Sequence, residues 1–295
     1  MARCTRGVLN DALSIDFGDA TLIILLGQAC TVASTTSEKL VKIIIVMDYD
    51  KIEIATYDKA RALAPETLRL WQDLLSIHVD RADMSLVIDL GCGTGRFSEL
   101  LATHFGVQVI GIDPSQTMLD QARRKPTAAN VIYRPGSAEA LPFPDCCADL
   151  VFMSMVYHHL RNPVAAAREC HRVLRDGGYV CIRNGTRESD FPHRHFFPAL
   201  EALIGSDLPA RRDIESVFTR GGFSLLVHQV ITQVTAPDWP TFIEKSALRA
   251  DSFLARLSDD NFQQGMAALR THGRAANQNA AVTEEIDWFV FSRHG

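Results

Sequence analysis

Between residues 89 and 95 the chain reads Asp-Leu-Gly-Cys-Gly-Thr-Gly, directly after the apolar run Leu86–Leu90 and before a helical pattern that opens at Arg96. Glycines at such a turn let main-chain N–H groups approach a ligand closely and allow a sharp reversal. The helix that follows points its positive end at the same spot, which favours an anionic group. About twenty residues on comes Asp113, at the end of the next apolar run, where a carboxylate can accept from both hydroxyls of a ribose.

From Leu86 onward short apolar runs alternate with stretches of helical period, the pattern of βαβ units and a parallel sheet. Strands are predicted at Leu86–Leu90, Val107–Ile112, Val131–Tyr133, Asp149–Ser154, Tyr179–Arg183, Phe223–Val234 and Glu285–Ser292. Helices are predicted at Arg96–Phe105, Ser115–Arg124, from Asn162-Pro163 to about Arg175, and at Asp213–Arg220. The expected fold is α/β: a seven-stranded, mostly parallel sheet with helices on both faces and a small helical cover. Two insertions interrupt the order. Residues 185–211 hold Phe-Pro-His-Arg-His-Phe-Phe-Pro, and 237–283 read as two helices, around Phe242–Leu257 and Asp260–His272. The apolar faces of that second insertion (Trp239, Phe242, Ile243, Phe253, Leu254, then Phe262, Met266, Leu269) suit packing on the sheet edge, a lid or a dimer contact.

The first 46 residues stand apart. Ala20–Ala33 is apolar but shorter than the ~20 residues a membrane span needs, and Asp11, Asp16 and Asp19 spoil the basic start of a signal peptide. Val41–Met47 reads as a strand with no obvious partner. The preferred reading makes 1–46 a translated upstream segment, with Met47 the start of a domain spanning 47–295. An N-terminal extension packed on that domain and a cleaved targeting peptide stay open.

A net charge of −5 over 295 residues, with no basic run longer than Arg123-Arg124-Lys125, argues against a nucleic-acid partner. Seven cysteines without a Cys-x-x-Cys pair point to reduced thiols in a cytoplasmic protein and against a zinc site, and no metal is expected. The vicinal Cys146-Cys147 pair reads as a loop accident, with a soft-metalloid or redox role as the alternative.

A dinucleotide enzyme has a similar plan, but its third glycine falls where Arg96 stands, and Arg96 is expected to crowd the helix–strand contact of a diphosphate site. Asp89 would repel a diphosphate and attract an ammonium group.

Taken in order, Asp-Leu-Gly-Cys-Gly-Thr-Gly-Arg-Phe-Ser, Gly-Ile-Asp-Pro-Ser, Ala-Glu-Ala-Leu-Pro-Phe-Pro-Asp, Met-Val-Tyr-His-His-Leu and Arg-Val-Leu-Arg-Asp-Gly-Gly-Tyr-Val closely resemble the class I methyltransferases, especially the group of the ubiquinone/menaquinone biosynthesis enzymes. The resemblance covers about Tyr57 to Val234 and the last strand. It implies a Rossmann-like fold and S-adenosyl-L-methionine as cofactor. By position it implies that Asp89, Gly91, Cys92, Gly93 and Gly95 line the methionine end and that Asp113 holds the ribose. Pro114, Ser115 and Met118 would lie near the adenosine, Ser137 and Ala138 by the adenine edge, Met153 beside the cofactor, and Tyr57 closing over it. Family members often carry aspartate where Ser137 stands; a neutral serine accepts a weaker hydrogen bond.

Methyl transfer from a sulfonium is an in-line displacement in which alignment supplies most of the acceleration. His158 and His159, after the fourth strand, are the candidate general bases. Tyr157, His193 and His195 are candidate substrate contacts, the two histidines expected on one side of an extended segment. The expected reaction is methylation of an O, N or C atom of a small organic molecule by a monomer or homodimer without a membrane span. The alternatives are a non-catalytic cofactor-binding regulator or partner protein and a nicotinamide-dependent oxidoreductase.

Overall fold

The computed structural model describes residues 54–277 and 279–294, together with the backbone of four short N-terminal strands, β1 (Arg3–Arg6), β2 (Ala12–Asp16), β3 (Thr21–Leu26) and β4 (Lys42–Val46). These four form one sheet in chain order. Lys42–Val46, within the segment expected to lack a neighbour, pairs in parallel with Thr21–Leu26. The rest of the Ala20–Ala33 stretch and Met47 lie outside the described residues.

The main sheet holds β5 (Leu86–Leu90), β6 (Gln108–Asp113), β7 (Val131–Pro135), β8 (Ala148–Ser154), β9 (Leu174–Asn184), β10 (Phe223–Ala236) and β11 (Val282–Arg293). Their order is β10-β11-β9-β8-β5-β6-β7, with β11 antiparallel to both neighbours and the other pairings parallel. The expected seven-stranded, mostly parallel sheet is therefore present. The chain runs outward through β6 and β7, then returns to the other side of β5 as β8. That reversal opens a crevice at the carboxyl ends of β5 and β8, where such sheets bind ligands.

Both faces of the sheet are covered, so its central strands are apolar at nearly every position. Val87, Leu150, Phe152, Cys181, Trp288 and Val290 face helices α2 (Pro65–His78) and α3 (Arg96–Phe105). Ile88, Val151, Met153, Val180, Ile182 and Phe289 face α5 (Pro163–Val173) and α8 (Arg211–Arg220). Between them, α4 (Gln116–Arg124) sets Leu119 and Ala122 against Tyr133. Helix α2, preceded by α1 (Ile54–Arg61), has no counterpart in the predicted elements, although Trp71, Leu74 and Leu75 give it a buried stripe. Helix starts follow side-chain caps: Ser115 accepts from the Met118 N–H, and Asn162 from that of Ala165.

The insertions form α6 (Pro192–Phe196), α7 (Leu200–Asp207), α9 (Trp239–Ala247) and α10 (Asp259–Ala275). They pack on one another around Phe197, Leu200, Phe242, Leu254, Phe262, Met266 and Leu269, a core of their own. The helix predicted to run from Phe242 to Leu257 stops at Ala247. Arg249 takes a left-handed φ of 51° and the Asp251 carboxylate accepts from the N–H of Phe253, which turns the chain before a 3-10 turn at Leu254–Arg256.

One buried carboxylate ties this cover to the sheet edge. Asp287 on β11, with no exposed surface, accepts from Thr186 Oγ1 (2.6 Å), Ser189 Oγ (2.8 Å) and Arg211 Nε (2.7 Å), and bonds His228 Nε2 (2.7 Å). Asp287→Ala orphans four buried or half-buried partners and is expected to lower unfolding free energy by about 3 kcal/mol. Urea unfolding measures this, and a change below about 1 kcal/mol would show that the network carries little stability.

Candidate active site

The glycine turn is held in place by its neighbour strand. The N–H groups of Gly91 and Cys92 both donate to the Ile112 carbonyl, at 2.7 and 3.1 Å, and the Gly93 N–H donates to Asp113 Oδ2 at 2.9 Å. Asp113 Oδ1 accepts from the Ser115 N–H at 2.9 Å. Gly93 has φ +53°, and a methyl group built on it would meet no protein atom within 4 Å: its open side is the cavity. Gly95, at φ +77°, lies against the Tyr133 hydroxyl.

Above the turn lies a cavity of about 1070 Å3, just past the upper end of the usual size range of small-molecule and cofactor sites. Of the expected cofactor residues, Tyr57, Asp89, Gly91, Cys92, Gly93, Asp113, Pro114, Ser115, Met118, Ser137 and Ala138 line it. Gly95 and Met153 do not. Gly95 is turned toward Tyr133, and strand alternation sends Met153 into the core beneath α5 and α8. At the end of β8, Ser154, Met155 and Val156 line the cavity instead. Asp89 is buried and accepts from Ser98 Oγ at 2.6 Å. Burial, helped by Asp113 and opposed by Ser98, pushes its carboxyl up to about 7, so it presents less charge than the sequence suggests. Arg96, which stands where a diphosphate site would need its third glycine, lines the cavity.

After β8 the chain turns through Met155, whose φ of +57° is unusual for a non-glycine residue. It then enters a single 3-10 turn, Tyr157–His159. The turn splits the three candidates. His158 and His159 line the cavity with ring centroids 4.0 Å apart, whereas Tyr157 is buried in the core beside Phe218. His158 Nδ1 lies 3.3 Å from Asn184 Oδ1, and burial pushes its ring down to about 4 against that bond. His158 is thus neutral at pH 7 and able to accept a proton.

His193 and His195 separate as well. The segment predicted to be extended is the short helix α6, in which side chains two apart diverge by about 200°. His193 lines the cavity, 2.9 Å from Ser246 Oγ and packed on Phe242; His195 faces solvent and pairs with Asp190 at 2.9 Å. Sequence reasoning missed Asn184, Arg61, Arg183, Lys245, Asp251 and Glu284. No spacing signal joins residues so far apart; the fold gathers them from α1, β9, β11, α9 and the turn after α9. Among the described residues no group of three or more His, Cys, Asp or Glu side chains is arranged to hold a metal ion.

A pinned glycine turn, an acidic residue ending the next strand, and an antiparallel strand inserted near the far edge define a methyltransferase-type α/β domain. Residues 88–182 match the model of a family described as a methyltransferase domain, and the sheet has the Rossmann-like fold of methyltransferases. An uncharacterised methyltransferase of Schizosaccharomyces pombe is 38% identical over 107 residues, covering 33% of this chain and 38% of that protein. A malonyl-acyl-carrier-protein O-methyltransferase of Serratia marcescens is 34% identical, covering 42% and 46%. A demethylmenaquinone methyltransferase of Lactiplantibacillus plantarum is 35% identical, covering 43% and 55%. The chain thus spans about half or less of these relatives' lengths. Among solved structures, a cyclase superposes with TM-score 0.56 at 21% identity, covering 80% of this chain and 85% of that one. A sarcosine dimethylglycine methyltransferase from Galdieria sulphuraria gives 0.54 at 17%, covering 80% and 92%. At these identities the likeness is one of fold.

Two outcomes follow from the site's local structure. Gly95→Ala combines a left-handed backbone with a collision at Tyr133 and is expected to destabilise by about 3 kcal/mol, whereas Gly93→Ala carries only the backbone term of about 1–2 kcal/mol; urea unfolding of both variants compares them. For His158 the folded state binds a proton less readily than the unfolded chain, whose histidine titrates near 6.5. Its contribution is therefore present above pH 6.5 and is lost as pH falls toward 4. Asp89 acts in the opposite sense, so the comparison is with His158→Gln. Wild type should lose on the order of 3 kcal/mol relative to the variant between pH 7 and 4, and parallel pH profiles of unfolding free energy would refute the assignment.

Proposed function

We propose that residues 47–295 form a methyltransferase that takes the methyl group of S-adenosylmethionine and transfers it to an O, N or C atom of a small organic molecule, with 1–46 outside that domain. The reading rests above all on the Gly91–Gly95 turn, fixed to the end of β6 with its Gly93 face open to the cavity. That cradle suits a ligand whose atoms come close to backbone N–H groups.

The residues fit the cofactor. Asp113 offers a carboxylate to the ribose hydroxyls, Ser137 and Ala138 border the space for the base, and Asp89 can regain its charge beside an ammonium group. The bound cofactor supplies an electrophilic methyl group and a neutral leaving group. The chain's own residues then exclude water, orient the acceptor and, through His158 or His159, receive its proton where the acceptor carries one. Phe191, Phe242 and Phe253 from the insertions give the far wall an apolar lining for an organic acceptor.

Calorimetric titration with S-adenosylhomocysteine tests the first half. Binding is expected in the micromolar range, with Asp113→Ala at least tenfold weaker (about 1.4 kcal/mol), and no binding at millimolar concentration would rule the proposal out. Incubation of a metabolite extract with methyl-labelled cofactor tests the second half. Cofactor binding without label transfer would favour a non-catalytic regulator or partner protein.

A further inference from the structure

Beside the main cavity a recess of about 30 Å3 is lined by Arg61, Arg96, Arg183, Lys245 and Glu284, with Met155 at its side. Such a volume admits a water molecule or a small polar head group. Its charge is lopsided: four cations face one carboxylate of the lining, and Asp251, which pairs with Arg61 at 2.8 Å, adds a second. The difference, four minus two, leaves two positive charges in excess.

The cations are not equally engaged. Arg183, 2% exposed, donates to Ser154 Oγ (3.1 Å) and Gln233 Oε1 (2.8 Å) and lies over the Trp71 ring, but its buried Nε has no partner. Lys245 donates to the carbonyls of Ala62 and Thr235, neither of them charged. The Glu284 carboxylate accepts from Gln233 Nε2 at 2.6 Å. Arg96 makes no hydrogen bond and no ion pair with any described residue, although its guanidinium is sunk in the wall of the site. Burial depresses the proton affinity of Arg96, Arg183 and Lys245, with Glu284 opposing it and neighbouring Arg61 adding to it, and takes Arg183 down to about 9. A buried cation without a counter-charge is costly, and an arriving anion removes that penalty.

Topology separates the recess from the glycine turn. Arg183 ends β9, Thr235 is on β10 and Glu284 on β11, all on the far side of β8 from Asp113 on β6. Arg96, one residue past Gly95, lines both the recess and the main cavity. We infer that the recess receives a carboxylate of the methyl acceptor, between Arg96 and Lys245 and below Arg183, so that the acceptor enters anion first. This inference rests on the proposed methyltransferase reading. A planar guanidinium matches a carboxylate edge to edge, and Arg96 has its donors available for that pairing.

The test uses the full chain saturated with S-adenosylhomocysteine, whose own binding is measured first by calorimetry; failure at that stage would strike the methyltransferase reading instead. Thermal unfolding is then followed with glutarate and benzoate against their neutral amides, glutaramide and benzamide. The carboxylates are expected to raise the midpoint in a saturable way and the amides not. Arg96→Met and Lys245→Met should each weaken the carboxylate response at least tenfold, while Arg96→Lys restores part of it. Each variant is read against its own ligand-free midpoint, so a destabilised fold stays informative. The inference is overturned by an equal response to acids and amides, by no response to either, or by a carboxylate response untouched in both variants. It is overturned too if carboxylates bind only without S-adenosylhomocysteine, because the recess would then hold the cofactor's own carboxylate.

Discussion

The site depends on a small set of hydrogen bonds between two parallel strands. The Ile112 carbonyl receives two N–H groups of the glycine turn and the Asp113 carboxylate receives a third. Without that anchor a segment with glycine at three of five positions would sample many conformations, since glycine loses the most freedom on ordering. With it, the floor of the cavity is set before any ligand arrives, the condition for a site that binds by fit and not by rearrangement. Asp113 therefore acts twice: it shapes the turn and it presents a carboxylate to the space above.

The floor was legible in the sequence because it is local. A strand, a glycine turn, a helix and a second strand follow within about thirty residues, and each leaves its own periodicity or cap. The sheet was legible for the same reason, and so was the Asn162 cap. What failed was the direction of single side chains. Met153 and Tyr157 sit at the right height in the fold but face inward, one by strand alternation and the other by the 3-10 turn. His193 and His195 parted because a segment taken as extended closed into a helix. Position along the chain gives depth in the site; only the local backbone decides which way a side chain faces.

The far wall was not legible at all. Arg61, Arg96, Arg183, Lys245 and Glu284 come from five elements spread over more than half the chain. No periodicity connects them. They meet where α1, α3 and α9 come together with β9 and β11. Tertiary burial, not propensity, decides where these charges end up. Of the five, a sequence reading singles out only Arg96, for its place after the glycine turn.

The two walls differ in sign. Asp89 and Asp113 lie under the glycine turn, and the cationic recess lies across the cavity on the β9–β11 side. In a partly dehydrated cleft such a field acts more strongly than it would in water. On the proposed reading it draws an ammonium group toward the turn and a carboxylate toward Arg96, Arg183 and Lys245. Two ligands of opposite local charge are thus sorted to opposite walls, and Met155, on the strained turn between them, borders both spaces. A fold shared by many reactions can acquire selectivity this way without altering its floor: helices around the sheet and the end of β9 supply the charges, and the sheet fixes where they meet.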